Sequence, residues 1–527
     1  MSHPETADDN VVLAILRRCD AHAGSPAIVS TPARARATGP VEEVPRTTSI
    51  TYRGLERLVL ACARHLETQG VACGDVVAAS LDDEIQLALC ALAVLHLGAT
   101  LMVIPRSTPA SQREEWLSKG RARWFLTDDG HRCASAATCI RIDPARLLAA
   151  ARTGDRAEVA LVRRPESPAL IIAGSGSTGR PKLLPVTHRQ LAFRIATQNA
   201  WFGLTPERTD RVFLTSHIEY PSAAMRVLGA LTSGGSVLFT DKSSTAALHH
   251  AITRGGVTVV LGTVLHVERL LAVLRPSDRP AWPALRVLGI TSSTVTDDLR
   301  ARIRARLTDR LYVVYGMNES MTVSVADPSM VFETPGSVGR PSPGVQVELV
   351  SAEGAAVPPG SVGLIRVRSP GQIEGYLDDA EETRRAFIDG WFQPGDLGRF
   401  TADGQLVFLG RADQMMIFNG VNIHPVEIEQ CVAAHPAVRD AAALPILHPV
   451  HQDIPGCAVS LHAGMPTTEA ELLRHARERM GFRGPKRIYV LDEIPRTPFG
   501  KLDRAELKRR IAVAERARTE AGESPQP

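Results

Sequence analysis

Apolar residues fall into two alternating patterns along most of the chain. Short, nearly continuous apolar runs at Val76–Ser80, Thr100–Ile104 and Trp124–Thr127 predict buried strands. Between them lie longer stretches with helical spacing: Thr51–Gly70, Glu84–Leu97 and a segment near Ser111–Lys119. The first of these carries Leu55, Leu58, Leu60 and Leu66 and stops at Gly70. An amphipathic helix over Val11–Ala21 precedes them, and the Pro- and Arg-rich stretch Thr31–Arg46 reads as loop. The alternation resumes at Val212–Leu214, Ala223–Thr232, Ser236–Phe239, Thr258–Leu261, Val264–Leu274, Arg286–Ile290 and Tyr312–Tyr315. Strands and helices taking turns in this way predict an α/β fold on a parallel, doubly wound sheet. After Pro335 the texture changes to short alternating runs such as Val345–Val350 and Gly363–Val367, which predict an antiparallel or barrel-like piece.

A second change falls near Gly410-Arg411-Ala412-Asp413. Beyond it, a helix at Pro425–His435, strands near Ala441–Pro445 and Gly456–His462, a helix at Glu469–Arg479 and a strand at Arg487–Leu491 make a small α+β unit. The charged, Pro-ended tail after Ala514 is expected to fray. The long apolar run Leu87–Ile104 contains His96, Gly98 and Thr100, so it reads as a buried helix, a glycine stop and a strand ending at Pro105 rather than a membrane span.

Composition narrows the function classes. A chain of 527 residues exceeds one core, so two to four structural units are expected. The net charge of +3, from 60 basic and 57 acidic residues, offers no general attraction to nucleic acid or a membrane surface. Eight cysteines are scattered with no C-x-x-C pair, which suits a reduced, cytoplasmic protein. The polar N-terminus with Glu5, Asp8 and Asp9 does not read as a secretory leader.

The chemistry concentrates first in Ala173-Gly174-Ser175-Gly176-Ser177-Thr178-Gly179-Arg180-Pro181-Lys182, which follows the apolar run Ala169–Ile172. Small and hydroxylated residues expose many backbone and side-chain donors, and Lys182 adds one mobile cation, a combination suited to polyphosphate. Gly174, Gly176 and Gly179 also spell G-x-G-x-x-G, but a dinucleotide site needs a helix opening at the third glycine, and Pro181 disfavours one. A Walker loop needs Gly-Lys-Ser/Thr where this chain has Gly-Arg-Pro-Lys.

This loop resembles the phosphate loop of the adenylate-forming superfamily, which includes acyl-CoA synthetases, adenylation domains and luciferases. Four further segments resemble that family's motifs in order, and the resemblance spans about residues 10 to 511. Val314-Tyr315-Gly316-Met317-Asn318-Glu319 is similar to Tyr-Gly-x-Thr-Glu, which implies Tyr315 on adenine, Asn318 in place of a phosphate-binding threonine, and Glu319 as the Mg²⁺ ligand. Gly390-Trp391-Phe392-Gln393-Pro394-Gly395-Asp396 is similar to Gly-Trp-x-x-Thr-Gly-Asp, which implies that Asp396 accepts from both ribose hydroxyls. Leu409–Asp413 resembles the hinge, with Arg411 on ribose or phosphate and Asp413 as pivot; Ile417 stands where many members carry lysine. Pro495-Arg496-Thr497-Pro498-Phe499-Gly500-Lys501-Leu502-Asp503-Arg504 resembles the C-terminal motif and makes Lys501 the catalytic lysine.

The resemblance implies an N-terminal AMP-binding domain, residues 1–411, of two doubly wound α/β subdomains plus a small β-barrel, and a mobile α+β domain, residues 412–527. It places ATP on Ser175, Gly176, Ser177, Thr178, Gly179, Lys182, Tyr315, Gly316, Asn318, Asp396 and Arg411. The acid pocket takes His217, Glu219, Tyr220, Pro221, Ser292 and Met317. Pro221 stands where amino-acid-activating members carry an aspartate, so an ordinary α-amino acid is not expected; a small or aromatic, polar-substituted acid of secondary metabolism is. The implied reaction is ATP-dependent formation of an acyl-adenylate, then transfer to coenzyme A or a free carrier protein. Two other readings stand beside it: a non-catalytic nucleotide-binding homologue, suggested by Asn318, Pro394 and Ile417, and adenylation of a non-carboxylate group on an amine-bearing substrate held near Glu219.

Overall fold

A computed structural model describes residues 10–31, 48–128, 137–153, 159–175, 181–242, 244–274, 281–282, 284–291, 294–419, 421–448, 452–497 and 502–520. The helix Val11–Ala21 opens the fold, and the Asn10 side chain caps it by accepting from the Val12 amide at 2.9 Å. Its apolar stripe, Val11, Val12, Ile15 and Cys19, joins a core shared with the helix Tyr52–Thr68.

Two sheets carry the larger part of the chain. One has six strands in the order Thr138–Arg141, Trp124–Thr127, Val76–Ser80, Thr100–Val103, Pro168–Ser175 and Pro181–Thr187. All its pairings are parallel except the last, a hairpin in which Gly174 faces Lys182 and Ser175 faces Pro181. The strand resuming at Pro181 means that no helix opens after Gly179, in keeping with the rejection of a dinucleotide loop. The second sheet runs parallel through Pro26–Ser30, Ser236–Phe239, Arg211–Leu214, Val259–Thr263, Val287–Thr291 and Leu311–Met317. These strands are buried on both faces, which is why their sequences are almost wholly apolar.

At Met317 the direction reverses. Met321–Ala326 returns antiparallel on Leu311–Met317 and pairs with Ser337–Pro341. From there the antiparallel strands Leu406–Arg411, Asp396–Phe400 and Gly363–Arg368 follow, with Gln346–Val350 added to the last of these. They are the antiparallel piece expected after Pro335.

The remaining unit is a five-stranded sheet built on Val438–His448 and Gln452–Leu461, with Arg487–Val490 parallel beside it. Its own core includes Met416, Phe418, Ile428, Leu472 and Ile488. One expectation is corrected in part: the helix Arg504–Glu520 continues past Ala514, where the chain was expected to fray, and residues 521–527 lie outside the described ones. Its residues are strong helix formers, Arg510 bonds Glu506 one turn back at 2.8 Å, and Leu507 and Ile511 bury against Ala442 and Leu444. Among the described residues no helix is long and apolar enough to cross a membrane.

Candidate active site

The carboxyl ends of the parallel strands of both sheets open on one cavity of about 1670 Å³. Loops there must leave the sheet, so side chains of many strands converge where no backbone ladder competes for them. Thr108, Gly174, Thr215, Thr263, Thr291 and Tyr315, from six strand ends, all line it. Its other wall includes Gln430, Asp440, Arg496 and Leu502 of the small C-terminal unit.

Of the residues singled out in the sequence, Lys182, His217, Glu219, Tyr220, Pro221, Tyr315, Gly316, Met317, Asn318, Glu319, Asp396 and Arg411 line this cavity together. Ser175 ends the strand Pro168–Ser175, and Asp413 sits on the short turn Ala412–Gln414, away from the lining. Gly176, Ser177, Thr178, Gly179, Ser292 and Lys501 lie outside the described residues.

Tyr315 and Asp396 form an enclosed polar pair. The Tyr315 hydroxyl donates to Asp396 Oδ2 at 2.6 Å, and Arg411 Nη1 lies 3.7 Å from Asp396 Oδ1. Both partners help the carboxylate, yet burial outweighs them and pushes the Asp396 carboxyl up to about 6. Burial and the neighbouring carboxylate also raise the Tyr315 phenol. Arg411 is held by Asp413 at 3.0 Å and by the Pro394 carbonyl at 3.0 Å, so it is set before any ligand arrives. Phe408 supports the Tyr315 ring at 5.6 Å between centroids.

Gly316 follows Tyr315 at a bulge in the hairpin, and a Cβ there would fall 1.9 Å from the Met321 carbonyl oxygen. Only glycine allows that approach. Met321 itself takes φ 65°, a left-handed conformation that costs a non-glycine residue about 1–2 kcal/mol. This strained turn carries Asn318 and Glu319. The Asn318 amide nitrogen lies 3.9 Å from where a Cβ on Gly174 would stand, so it borders the base of the glycine-rich hairpin.

A chain of polar contacts joins Glu319 to Lys182. The Tyr376 hydroxyl donates to Glu319 Oε1 at 3.0 Å, and its ring lies 4.6 Å from Lys182 Nζ. Lys182 is ion-paired with Glu382, and both side chains are only 14% exposed. Arg385 also bonds Glu382, at 2.7 Å; that bond, with Lys182, holds the Glu382 carboxyl below its ordinary value. From behind, the buried Arg194 donates to the Gly371 carbonyl at 2.7 Å and the Glu319 carbonyl at 2.9 Å, fixing the Glu319 backbone. Burial lowers the Arg194 guanidinium to about 9.

The end of the cavity around Glu219 is equally structured. Glu219 accepts from the Arg106 amide at 3.1 Å, and Tyr220, raised to about 12 by burial and by Glu219, stands next to it. Below them Lys242, almost fully enclosed, donates to Glu84 at 2.7 Å and to the Ser216 carbonyl at 2.8 Å. Glu84 also receives the Ile218 amide at 2.8 Å and lies 3.8 Å from His217 Nδ1. His266 completes this wall, and burial with nearby cations lowers it to about 4.

Sequence reasoning missed Tyr376, Glu382, Arg194, Lys242 and Glu84. Only Arg194 left a signal, a basic residue among the apolar Leu191, Ala192, Phe193 and Ile195.

Comparison with known proteins identifies the family and the fold. Residues 17–377 match the AMP-binding enzyme family, and residues 427–501 match the AMP-binding enzyme C-terminal domain. The chain is 30% identical over 492 residues to the salicyl-AMP ligase / salicyl-S-ArCP synthetase of Mycobacterium tuberculosis, covering 88% of this chain and 86% of that one. Its fold superimposes on ATP-bound MatB from Rhodopseudomonas palustris with a TM-score of 0.83 at 24% identity, over 95% and 99% of the two chains. It likewise matches the o-succinylbenzoate coenzyme A synthetase of Bacillus subtilis solved with ATP and a magnesium ion: TM-score 0.78, 22% identity, 94% and 99% covered.

Proposed function

This chain belongs to the AMP-binding enzymes, and we propose that it activates a carboxylic acid with ATP and passes the acyl group to a thiol. A carboxylate oxygen of the acid attacks the α-phosphorus of ATP, the bond to the bridging oxygen breaks, and pyrophosphate leaves. The thiol of coenzyme A or a carrier protein then attacks the acyl carbonyl, and AMP departs as its proton is lost. The observation that carries this reading is the meeting of Lys182, Glu319, Asn318 and the Tyr315–Asp396–Arg411 cluster on one cavity.

Each group has a task that its surroundings suit. Tyr315 offers a ring face to adenine, and Asp396 takes the ribose hydroxyls once ionised. Lys182 and the glycine-rich hairpin hold the polyphosphate. Glu319 Oε1 is held by Tyr376, and Oε2 has no hydrogen-bond donor among the described residues, which suits a carboxylate that takes a hard cation. Mg²⁺ on Glu319 would neutralise charge on the phosphates. Residues 1–411 supply these groups and residues 412–527 supply Lys501, so we assign the two chemical halves of the site to two domains. The cytoplasm, with its ATP and thiols, is the setting this reaction suits.

Acid-dependent ATP–pyrophosphate exchange over aryl, aliphatic, hydroxy and amino acids tests the reading. Exchange with one acid class supports it; no exchange with any acid, in protein that binds ATP, overturns it. Two variants refine it. Glu219→Gln is expected to shift acid preference by about tenfold and leave the KM for ATP within twofold; if neither acid preference nor KM moves, Glu219 does not meet the acid. Glu382→Gln is expected to tighten ATP binding several-fold in a calorimetric titration, because it removes the anion that competes for Lys182. Weaker binding would instead make Glu382 a positioning residue for that lysine.

A further inference from the structure

Among the described residues, the buried cations bordering this cavity are matched inside the protein, with one exception. Lys242 has Glu84 and the Ser216 carbonyl, and Arg300 has the carbonyls of Val295, Val331 and Ser337. Arg226 is different. It lies on the helix Pro221–Thr232, five residues beyond Pro221 of the acid-pocket loop, and is 7% exposed. Among the described residues its guanidinium makes no hydrogen bond and no ion pair; its contact is the face of Phe202, at 5.6 Å. Nη1 is enclosed with no acceptor, and burial alone lowers the group to about 10, with no acid opposing that loss.

A second unsatisfied donor comes from the facing helix His188–Phe202. Gln198 is 4% exposed, and its Nε2 has no acceptor. Gly229, three residues beyond Arg226, lets it approach: a Cβ on Gly229 would stand 2.7 Å from Gln198 Nε2. Gln198 and Arg226 both line the cavity. Asn199 Oδ1, 2.5 Å from the same point and likewise enclosed without a partner, is an acceptor near Gln198, but the described residues supply none to Arg226, and leaving a charged donor buried and unpaired is costly, so Arg226 is expected to have an acceptor from outside them.

We propose that the acid substrate carries a second anionic group, a carboxylate or sulfonate, remote from the carboxyl that is activated, and that Arg226 with Gln198 receives it. This rests on the acid-activation reading above. Charge-assisted bonds to a planar guanidinium suit either anion, and the enclosed setting strengthens them. An uncharged acid of the same shape would leave Arg226 buried and unpaired, so discrimination comes from the penalty on the wrong substrate as much as from the gain on the right one.

The test is ATP–pyrophosphate exchange on the full chain with matched acids: isophthalate and 3-sulfobenzoate against benzoate and the monoamide of isophthalate, and glutarate against butyrate and glutaramate. The expected result is a preference of about a hundredfold in kcat/KM for the anion-bearing member of one set. Isophthalate against 3-sulfobenzoate separates carboxylate from sulfonate. Arg226→Met is expected to erase that preference by raising the KM for the acid, with the KM for ATP unchanged, and Arg226→Lys to restore part of it. Gln198→Leu should lower the preference less. Exchange with uncharged acids that their anionic partners do not exceed overturns the inference, as does a preference that survives Arg226→Met. If Arg226→Met does not fold, the wild-type preference and Arg226→Lys decide. Exchange with none of these acids nor with the wider panel overturns the acid-activation reading itself, and the inference with it.

Discussion

Replacing Lys501 with alanine is expected to lower acid-dependent ATP–pyrophosphate exchange by at least about a hundredfold, while ATP binding stays within a few-fold. Adenylate formation brings two anions together, the attacking carboxylate and the α-phosphate, and charge grows on the phosphate oxygens as the new bond forms. A lysine ammonium near both relieves that repulsion where it is greatest. Its chain neighbours are pinned at the cavity: Arg496 pairs with Asp440 at 2.6 Å, Arg496 and Leu502 bridge antiparallel, and the Asp503 amide donates to the Pro495 carbonyl at 2.9 Å. Arg496, Thr497, Leu502 and Arg504 all border the cavity. The thiol half-reaction, started from a supplied acyl-adenylate, should be affected much less. Near-normal exchange in Lys501→Ala would remove that lysine from the chemistry.

The second large effect is expected at Asp396. Asp396→Ala should raise the dissociation constant for ATP about a hundredfold, since two charge-assisted ribose bonds are lost together. The wild-type protein should also bind ATP more weakly as the pH falls through about 6, where the buried carboxyl of the free protein takes up its proton. The sign follows from what the two states hold. Ribose hydroxyls donate more strongly to the ionised carboxylate than to the neutral acid, so binding lowers the pKa of Asp396 and releases a proton at pH values below about 6. Stability runs the other way: with the folded value above the ordinary 3.8, the folded state binds the proton more tightly, and this group costs stability as pH rises from about 4 to about 6. Calorimetric titration of ATP from pH 5 to pH 8 checks the first claim. An affinity independent of pH, or unchanged in Asp396→Ala, would take Asp396 out of the nucleotide site.

How much of this could be read from the chain depended on the range of the contacts involved. The helix Val11–Ala21 and the strands Trp124–Thr127 and Ser236–Phe239 keep the bounds that their patterns predict, because burial on one or both faces writes itself into neighbouring residues. The linear motifs were legible for the same reason: each is one turn or one strand end. The partners of those motifs were not. Glu382 meets Lys182 across 200 positions, and Tyr376 meets Glu319 across 57, so nothing local marks either. Glu84 and Lys242 belong to different sheets' connections, and alone each reads as an ordinary surface charge. Arg226 left a trace, a charged residue in an apolar helix, but its significance lies in the lack of a counter-ion, which only three dimensions can show. The start of the tail misled in the opposite direction, because its charge suggested solvation while its helix formers extend, to Glu520, a helix anchored upstream by Leu507 and Ile511.

The pairing of Lys182 with Glu382 bears on turnover as well as on recognition. Any polyphosphate that takes this lysine must first evict a carboxylate, so weakly charged anions compete poorly and the entry step is selective for dense charge. The same carboxylate is waiting when pyrophosphate leaves. A departing product that would otherwise strand an enclosed ammonium is replaced at once by an internal anion, and the exit barrier falls by about as much as the grip was loosened. On the reading proposed above, Lys182 would exchange one negative partner for another through each cycle, at no stage holding a bare charge, and trade tightness of binding for speed of clearance.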